Sequence, residues 1–392
     1  MAHEAKSAIV GLGYSAIGKV YGRTGTSFAL EAIKNAMDDA GLAKDQIDGL
    51  LIQHGITPCI GLGLQNAGAF KNMRLANHMN AMGATPATMV QYATMAIANG
   101  LATNVVCVFA DTPLQDPNAG AGASMFGARD RSNIRGFQAL DLHYSPMTAN
   151  GGYAMGARRH MALYGTTNEQ LGAIAVSVRQ WAQKNPRAAY RNPLTLDDYM
   201  SSRWIIEPFH LFDCCMVSNG AVAVIVSAAD TAKDMKSEPA YVMAMAQGYP
   251  GNEKRAGDMH DTHTGARIAA KTLYGQLGVG PNDIDVRSLY DCYTYTILVT
   301  LEDYGFCEKG EGGPFVQDGK LGPGGNCPTN TGGGELSNFY LWGMTPLSEG
   351  VEQARGSAGD RQVSKHDLVL TTCQGGFLDY HASLILSPNA TY

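Results

Sequence analysis

An alternation of short buried strands with amphipathic helices constrains the fold of this chain most. Residues 8–11 form a strand-like apolar segment, residues 27–40 carry apolar side chains at helical spacing, and residues 49–53 are again strand-like. A small-residue helix at about 86–98 then precedes the continuous apolar run 105–110. Strands that alternate with helices are typical of an α/β sheet covered by helices.

The same alternation starts again near residue 240. A helix is predicted at about 264–277, a strand at 286–289 and a further helix after Tyr293. Between these stretches, residues 112–205 are rich in turn-forming segments around one helix, predicted at about 167–184. We therefore predict an N-terminal half, residues 1–235, with a loop domain inserted at about 112–205, and a similar C-terminal half, residues 236–392.

Charge and hydropathy exclude two classes of partner. The formal net charge is −6, and no run of Lys and Arg is longer than a pair such as Arg158-Arg159. Such a chain lacks the basic patch that binds nucleic acid or an anionic membrane. The densest apolar run, near 221–229, is shorter than the roughly 18–20 residues that span a bilayer. Residues 1–7 also lack the pattern of a signal peptide, so we expect a cytoplasmic protein without membrane segments.

Cysteine spacing favours reduced thiols. The chain has 8 cysteines, of which only Cys214 and Cys215 are adjacent, and no Cys-x-x-Cys pair occurs. This predicts neither a disulfide framework nor a zinc site. His260 and His263 lie three residues apart but without an evident third ligand, so we predict no metal site.

The glycines after the first strand do not indicate a dinucleotide. Gly11, Gly13 and Gly18 have the spacing GxGxxxxG, whereas the dinucleotide fingerprint is GxGxxG. We interpret them as a Gly-rich tight turn that is required for packing.

Several short signatures follow one another in the C-terminal half. They are Tyr290-Asp-Cys-Tyr293, Asn330-Thr-Gly-Gly-Gly, Glu352-Gln-Ala-Arg-Gly and Cys373-Gln-Gly-Gly. In this order they resemble the C-terminal half of the thiolase superfamily, and sterol-carrier-type thiolases most of all. Matching segments also occur in the N-terminal half, so the resemblance covers nearly the whole chain. It implies an α/β thiolase fold, in which two similar halves form a five-layered αβαβα body that is usually dimeric.

The chain departs from this family at the catalytic positions. Thiolases carry a nucleophilic cysteine at the start of the small-residue helix, but here the corresponding place is near Gly83, and no cysteine lies between Cys59 and Cys107. Tyr290 stands where the family has the histidine of its His-Asp-Cys-Phe signature, and Tyr340 stands near the histidine of Gly-His-Pro. Of the family's catalytic set, only Cys373 remains.

This pattern resembles the thiolase-like retro-aldolases that shorten steroid side chains. The resemblance implies cleavage of a bulky 3-hydroxyacyl-CoA into a ketone or aldehyde and a shorter acyl-CoA. It also implies a homodimeric core paired with a small zinc-binding OB-fold protein of the DUF35 type. The CoA thioester is then the substrate, and no covalently bound cofactor is expected.

The resemblance also assigns roles to individual residues. Tyr290 and Tyr340 are the expected acid/base pair. Asp291, Cys292 and Tyr293 are the expected supporting residues, and Cys373 is either a residual acid/base group or a buried packing thiol. A tyrosine that acts as a base at neutral pH needs a neighbour that lowers its pKa of about 10.

Glycines are expected to line the reacting acyl group. Gly332, Gly333, Gly375 and Gly376 permit a close approach of the backbone and unhindered N–H donors. Asn330 is expected either to fix this loop or simply to form a turn.

Two alternatives remain open from the sequence. The chain could be a true thiolase or acyltransferase that acts on a branched or aroyl 3-ketoacyl-CoA, through Cys373 or by direct attack of CoA. It could also be a non-catalytic scaffold subunit beside an active thiolase homologue.

Overall fold

Strands and helices alternate along the chain in the computed structural model, which describes residues 3–116, 149–251 and 262–392. The first part contains β1 (Ser7–Tyr14), α1 (Gly25–Ala40), β2 (Gly49–His54), α2 (Leu64–Ala67), β3 (Leu75–His78), α3 (Thr85–Ala98) and β4 (Asn104–Asp111). The next contains α4 (Ala149–Tyr164), α5 (Asn168–Gln183), α6 (Leu196–Ser201), β5 (Trp204–Ile206), β6 (Phe209–His210), β7 (Gly220–Ala228) and α7 (Ala229–Ala232). The last contains β8 (Ala240–Gly248), α8 (Ala266–Leu277), β9 (Val286–Ser288), α9 (Thr294–Asp303), α10 (Gly312–Phe315), α11 (Met344–Ala354), β10 (Val369–Gly375) and β11 (Tyr380–Ser387).

The strand order repeats itself. The large sheet runs β3-β2-β4-β7-β1-β8-β11-β10-β9. In the first half β2 is parallel to β4, and β7 is antiparallel to both β4 and β1. In the second half β9 is parallel to β10, and β11 is antiparallel to both β10 and β8. The order β2-β4-β7-β1 therefore matches β9-β10-β11-β8, and the halves join where β1 pairs with β8.

The helices form three layers, one on the outer face of each half and one between the two halves. α1 packs on β1 and β7, and α8 packs on β8 and β11, so these helices cover the outer faces. α3 and α11 contact strands of both halves and form the central layer with the second hydrophobic core. The layer order is αβαβα. Among the described residues, no helix combines the length and the apolar character that crossing a membrane requires.

Close packing explains the glycines of β1. A Cβ atom on Gly13 would lie 2.2 Å from the carbonyl oxygen of Ala32, and one on Gly11 would lie 2.4 Å from that of Ala36. α1 therefore lies directly on this strand, which confirms that packing requires Gly11 and Gly13, but the predicted tight turn is wrong at these two positions because both lie within β1. Because these glycines are part of the strand, β1 continues to Tyr14, beyond the predicted end at residue 11.

The predicted loop domain lies only partly within the described residues. Residues 117–148 are outside them, and α4, α5, α6 and the β5–β6 hairpin occupy the remainder. The boundaries at about 112, 205 and 235 stay predictions.

A buried network of charges joins α4 to α9. His160 Nε2 lies 3.0 Å from Glu302 Oε2, and Lys309 Nζ lies 3.0 Å from the same oxygen and 2.7 Å from Asp303 Oδ1. Burial raises the pKa values of both carboxyls, but hydrogen bonds from His160 to Glu302 and from His263 to Asp303, with the charge of Lys309, outweigh it. Both pKa values therefore lie below their ordinary range.

We expect this network to make the free energy of unfolding fall in acid. A carboxyl whose pKa is lower in the folded than in the unfolded state stabilises the fold above its unfolded pKa, about 4 for Asp and Glu. That stabilisation is lost as the pH falls through the folded pKa. Thermal denaturation of Glu302→Gln should show a lower Tm at pH 7 and a weaker decline between pH 5 and about 3 than the unsubstituted protein. Equal declines in both proteins would contradict this assignment.

Candidate active site

Two similar turns lead into the central helices. Residues 81–86 read Ala-Met-Gly-Ala-Thr-Pro, and residues 341–346 read Leu-Trp-Gly-Met-Thr-Pro. In each turn the second residue, Met82 or Trp342, has a φ of 50°. In each, the threonine hydroxyl accepts a hydrogen bond from the first backbone N–H, at 2.6 Å and 3.1 Å respectively. The internal repeat thus extends to the turns at the N-termini of α3 and α11.

The two turns touch at their glycines. A Cβ atom on Gly343 would lie 2.4 Å from the carbonyl oxygen of Gly83 and 2.7 Å from Sγ of Cys373. Gly375, at the end of β10, packs against Gly83 in the same way, because a Cβ atom on Gly375 would lie 2.8 Å from the backbone nitrogen of Gly83. Three positions therefore meet in one place: Gly83, where thiolases carry their nucleophile, Gly343 in the second turn, and Cys373.

The ring of Tyr290 occupies the space beside Gly83. A Cβ atom on Gly83 would lie 2.6 Å from Cε2 and 2.8 Å from Cζ of Tyr290, and 2.0 Å from the carbonyl oxygen of Gln374. A cysteine at this position would therefore collide with both. Glycine and tyrosine at these two positions depend on each other sterically.

We accordingly expect Gly83→Cys to gain no CoA-dependent thiolase activity. The added side chain would displace the tyrosine ring, and overpacking of this kind costs about 1–3 kcal/mol in the free energy of unfolding. Gly61→Ala is the matched control, because a Cβ atom there meets nothing within 4 Å. Chemical denaturation and a thiolysis assay check both expectations. A stable Gly83→Cys variant that releases two CoA esters would show that the site still performs acyl transfer.

The two predicted tyrosines lie together. The hydroxyl oxygens of Tyr290 and Tyr340 are 3.3 Å apart, and either can donate to the other. The backbone N–H of Tyr290 donates to Thr372 Oγ1 (3.2 Å), and that of Tyr340 donates to Ser218 Oγ (3.2 Å). Tyr290 is 4% exposed, and Tyr340 is partly buried.

Both phenols are neutral at neutral pH. Burial raises the pKa of Tyr290 well above its ordinary value, and Tyr340 and Glu335 raise it further. Burial also raises the pKa of Tyr340, and Cys215 and Glu335 add to it. The hydrogen bond with Tyr290 lowers the pKa of Tyr340, but burial outweighs it, so neither phenol has the lowered pKa that a tyrosinate base would require. The pair is suited to exchanging protons rather than to holding a negative charge.

Asp291 anchors the loop of residues 330–338, which contains Gly332, Gly333 and Gly334 and is called the glycine loop here. Its side chain is fully buried, and Oδ1 accepts from the backbone N–H of Glu335 at 2.8 Å. A Cβ atom on Gly334 would lie 2.0 Å from Asp291 Oδ2, so only glycine permits this contact. Burial raises the pKa of Asp291 to about 7, although the hydrogen bonds from Glu335, Asn330 and Leu336 lower it.

Asn330 fixes the other end of the same loop. Its Oδ1 accepts from the backbone N–H of Leu289 (2.7 Å), and its Nδ2 donates to the carbonyl oxygen of Leu289 (2.9 Å). The side chain thus replaces a strand partner for the residue directly before Tyr290. The geometry supports both expectations for Asn330, because its side chain fixes the loop and its carbonyl oxygen accepts from the backbone N–H of Gly333 (2.8 Å) in a turn.

The predicted glycines are also required by neighbours within the chain. A Cβ atom on Gly332 would lie 2.5 Å from Glu349 Oε2, and one on Gly333 would lie 2.7 Å from Cβ of Ala182. Gly376 has a φ of 65° and packs on the ring of Tyr380. These contacts explain why glycine is needed, and an added role toward a bound acyl group stays a proposal.

Tyr293 and Cys292 support the site from the side of α4. The hydroxyl of Tyr293 donates to Asn150 Oδ1 (2.5 Å), and its ring stacks on Phe209 with the centroids 5.0 Å apart. Cys292 is buried, and burial raises the pKa of its thiol well above the ordinary value. Its carbonyl oxygen accepts from the backbone N–H of Cys215 (3.0 Å). Asn150 was not predicted from the sequence.

Cys373 has the environment of a packing thiol. It is fully buried, and Sγ donates to the carbonyl oxygen of Gly343 (3.3 Å). Burial raises the pKa of the thiol far above the ordinary value for cysteine. A thiolate nucleophile at this position is therefore disfavoured.

Glu335 is the functional candidate that sequence reasoning missed. It directly follows the three glycines of the glycine loop, and its side chain is fully buried. Neither carboxylate oxygen has a hydrogen-bond partner among the described residues. Its position directly after three glycines gave no signal of burial.

The described residues hold no cluster of three or more side chains suited to a metal ion. Of the two histidines that sequence analysis considered, His260 lies outside the described residues, and His263 hydrogen-bonds Asp303 Oδ1 at 3.2 Å.

An open groove lies on the side of α4 that faces β5 and β6. Its volume is about 690 Å³, and its lining includes Arg158, Met161, Glu169, Trp204 and His210. The ring of Trp204 packs on that of His210 with the centroids 3.7 Å apart. Since Asn150 also belongs to α4, one helix connects the tyrosine site with this groove.

Comparisons with known proteins agree with this geometry. Residues 252–388 match the family model for the thiolase C-terminal domain-like fold. The chain is 34% identical to the steroid side-chain-cleaving aldolase of Thermomonospora curvata, over 94% of this chain and 95% of that protein. It is 32% identical to the 17-hydroxy-3-oxo-4-pregnene-20-carboxyl-CoA lyase of Mycobacterium tuberculosis, over 94% and 97%.

A solved structure of an aldolase, Ltp2-ChsH2(DUF35), is similar over 97% of both chains, with a TM-score of 0.86 and 32% identity. The predicted α/β thiolase fold is confirmed. The chain belongs to the thiolase superfamily and, within it, to the group of thiolase-like aldolases that these relatives represent.

Proposed function

We propose that this protein is a carbon–carbon lyase that cleaves a bulky 3-hydroxyacyl-CoA between its α and β carbons. The products are a ketone or aldehyde and a shorter acyl-CoA. One observation carries this proposal: the ring of Tyr290 occupies the space beside Gly83, and its hydroxyl meets that of Tyr340 at 3.3 Å. Acyl transfer would need a nucleophile where the tyrosine stands, whereas retro-aldol cleavage needs only proton transfer and stabilisation of an enolate.

The neutral tyrosine pair suggests a proton relay. The β-hydroxyl proton of the substrate passes to one phenol oxygen while that phenol gives its own proton to the other. The Cα–Cβ bond breaks, the β carbon becomes a carbonyl, and the bonding electrons form an enolate of the thioester. As it receives that proton, the second phenol gives its own proton to the α carbon, so neither oxygen carries two protons and the net change moves one proton from oxygen to carbon. Neither tyrosine has to be ionised at rest, which agrees with their raised pKa values.

The surrounding residues have positioning roles in this proposal. Asn330 and Asp291 join residues 289–291, which contain Tyr290, to the loop 330–335, since Asn330 accepts from the backbone of Leu289 and Asp291 accepts from that of Glu335. Tyr293 connects the segment to α4 through Asn150. The glycines at 332, 333, 375 and 376 keep this part of the backbone closely packed and are the proposed neighbours of the acyl group, although the N–H of Gly333 already donates to the carbonyl oxygen of Asn330 (2.8 Å).

The CoA part of the substrate is proposed to bind toward the groove beside α4. Asn150 and Arg158 lie eight residues apart on this helix, a rise of about 12 Å at 1.5 Å per residue. Arg158 and the half-exposed Trp204 offer a cation and an aromatic surface to a nucleotide.

The substrate class and the partner are inferred from relatives. The names of the relatives indicate steroid side chains as the substrate class, and the solved aldolase contains a DUF35 component. We propose the same pairing here, around a homodimeric core, with zinc held by the small partner.

The experiment that tests this function uses the chain co-purified with its DUF35 partner. A 3-hydroxyacyl-CoA that carries a tertiary alcohol is supplied without free CoA, and the ketone is measured by mass spectrometry. Release of a ketone together with an equal amount of shorter acyl-CoA is expected. No release from the intact complex would count against a lyase.

A further inference from the structure

The buried carboxyl of Glu335 has no part in the relay above. Its side chain is 0% exposed, and neither Oε1 nor Oε2 has a hydrogen-bond partner among the described residues. Its backbone, in contrast, is firmly held: the N–H donates to Asp291 Oδ1 (2.8 Å), and the carbonyl oxygen accepts from the N–H of Met216 (3.3 Å). A fixed backbone and an unpartnered side chain point to a group whose partner is a ligand.

The surroundings of this carboxyl keep it neutral. Burial without a counter-ion disfavours the charged form of an acid. Asp291, which is the group that acts on it most strongly, would repel a second negative charge. Arg179 does reach the same turn, but its guanidinium donates to Ser337 Oγ (2.9 Å) and to the carbonyl oxygen of Asn192 (3.2 Å). The other ionisable groups that its charge would affect are also acids: Tyr153, Cys215, Tyr290, Cys292, Tyr340 and Cys373.

Glu335 and the tyrosine pair therefore belong to one site. Asp291 directly follows Tyr290 in the chain, and Asp291 Oδ1 accepts from the backbone N–H of Glu335 at 2.8 Å. In agreement with this, a charge on Glu335 would raise the pKa values of both Tyr290 and Tyr340. A neutral carboxylic acid has one O–H donor. Leaving a buried donor without a partner is unfavourable, and an acceptor on a bound ligand would remove that cost. In retro-aldol cleavage the atom that becomes a stronger acceptor is the thioester oxygen.

We propose that Glu335, in its protonated form, donates a hydrogen bond to the thioester oxygen of the substrate and stabilises the enolate. This inference rests on the proposed lyase function. When the Cα–Cβ bond breaks, its electrons form the enolate C=C bond, and negative charge develops on the thioester oxygen. The proton stays on Glu335, and the α carbon receives its proton from the tyrosine pair. Carboxylic acids that an apolar site keeps neutral act as such donors in other enzymes.

Two substitutions separate this role from the alternatives. Glu335→Leu removes the donor and should lower kcat by about 10²–10³, the usual effect of losing one oxyanion donor. Glu335→Gln keeps an N–H donor at the same place and should retain kcat within about tenfold of the unsubstituted enzyme, with a smaller change in KM. If Gln is as inactive as Leu, Glu335 is a base and the proposal fails. If both variants keep full kcat, the residue only packs, and the proposal fails as well.

Infrared spectroscopy tests the protonation state without turnover. The difference spectrum between the complex and its Glu335→Gln variant at pH 7 should contain the carbonyl band of a protonated carboxylic acid. Addition of acetyl-CoA, as the thioester probe, should shift that band. Glu302→Gln is the control, because the pKa of Glu302 is lowered and its difference spectrum should show a carboxylate. A carboxylate band for Glu335, or an acid band that acetyl-CoA leaves unchanged, would overturn the proposal. A shifted acid band in a complex without cleavage activity would instead count against the lyase function.

Discussion

Replacing Tyr290 or Tyr340 by phenylalanine lowers kcat for cleavage by about 10²–10⁴, the range that a positioned acid or base contributes. Phenylalanine keeps the ring that packs beside Gly83 and removes only the hydroxyl from the 3.3 Å contact. The relay needs both hydroxyls, so either single substitution already disables it. The kcat of the double variant should therefore lie within about tenfold of the kcat of each single variant. Steady-state kinetics of ketone release by the assembled complex measure these effects.

A matched control excludes a general effect of losing a buried phenol. Tyr304 is also buried, and its hydroxyl lies 2.9 Å from His381 Nε2, on another part of the second half. Tyr304→Phe should therefore alter the Tm more than kcat. Full activity of Tyr290→Phe and Tyr340→Phe would remove the tyrosine pair from the mechanism. It would also revive the hypothesis of a non-catalytic scaffold subunit.

Asp291→Ala is expected to abolish most activity and to destabilise the fold. The substitution leaves the buried N–H groups of Glu335 and Leu336 without their acceptor, at a cost of about 2–4 kcal/mol for the two groups. The loop between residues 332 and 338 would then lose the contact that places it behind Tyr290. A fall in the free energy of unfolding together with a fall in kcat of at least tenfold is the expected result, measured by urea denaturation and by ketone release. A stable, active Asp291→Ala variant would contradict the anchoring role.

Asp291→Asn provides the conservative control and a pH test. Asn keeps an acceptor for the N–H of Glu335 and resembles the protonated acid. Since burial raises the pKa of Asp291 to about 7 in the fold, folded protein binds this proton more tightly than unfolded protein does. The resulting stabilisation is complete below the unfolded pKa, about 4, and is lost as the pH rises to about 7. The free energy of unfolding of Asp291→Asn should lack this loss, and an identical pH dependence in both proteins would contradict it.

Much of the fold was predictable because its periodicity is local. The apolar spacing of α1 and the unbroken apolar run of β4 depend only on neighbouring residues, and both elements occur where they were predicted. The repeated strand order was only partly visible, because it depends on pairing between distant strands such as β1 and β8. The end of β1 was placed too early for a related reason, since Gly13 belongs to the strand through its contact with α1.

The site was predictable to the extent that it resembles a family. Tyr290, Tyr340, Gly83 and Cys373 were chosen from signatures, and the structure brings them together. Burial of a charged side chain, in contrast, cannot be read from the letters around it. Glu335 follows three glycines and is a residue type that is usually exposed, so only the tertiary structure shows that its carboxyl is enclosed.

The central claim is retro-aldol cleavage by a tyrosine pair in place of acyl transfer by a cysteine. It is tested most directly by giving the co-purified complex a 3-hydroxyacyl-CoA and the matching 3-ketoacyl-CoA, each with and without free CoA, and identifying the products by mass spectrometry. The account predicts release of a ketone or aldehyde from the hydroxy substrate without CoA, and no cleavage of the keto substrate in either condition. CoA-dependent cleavage of the keto substrate into two CoA esters would contradict it and would identify a thiolase.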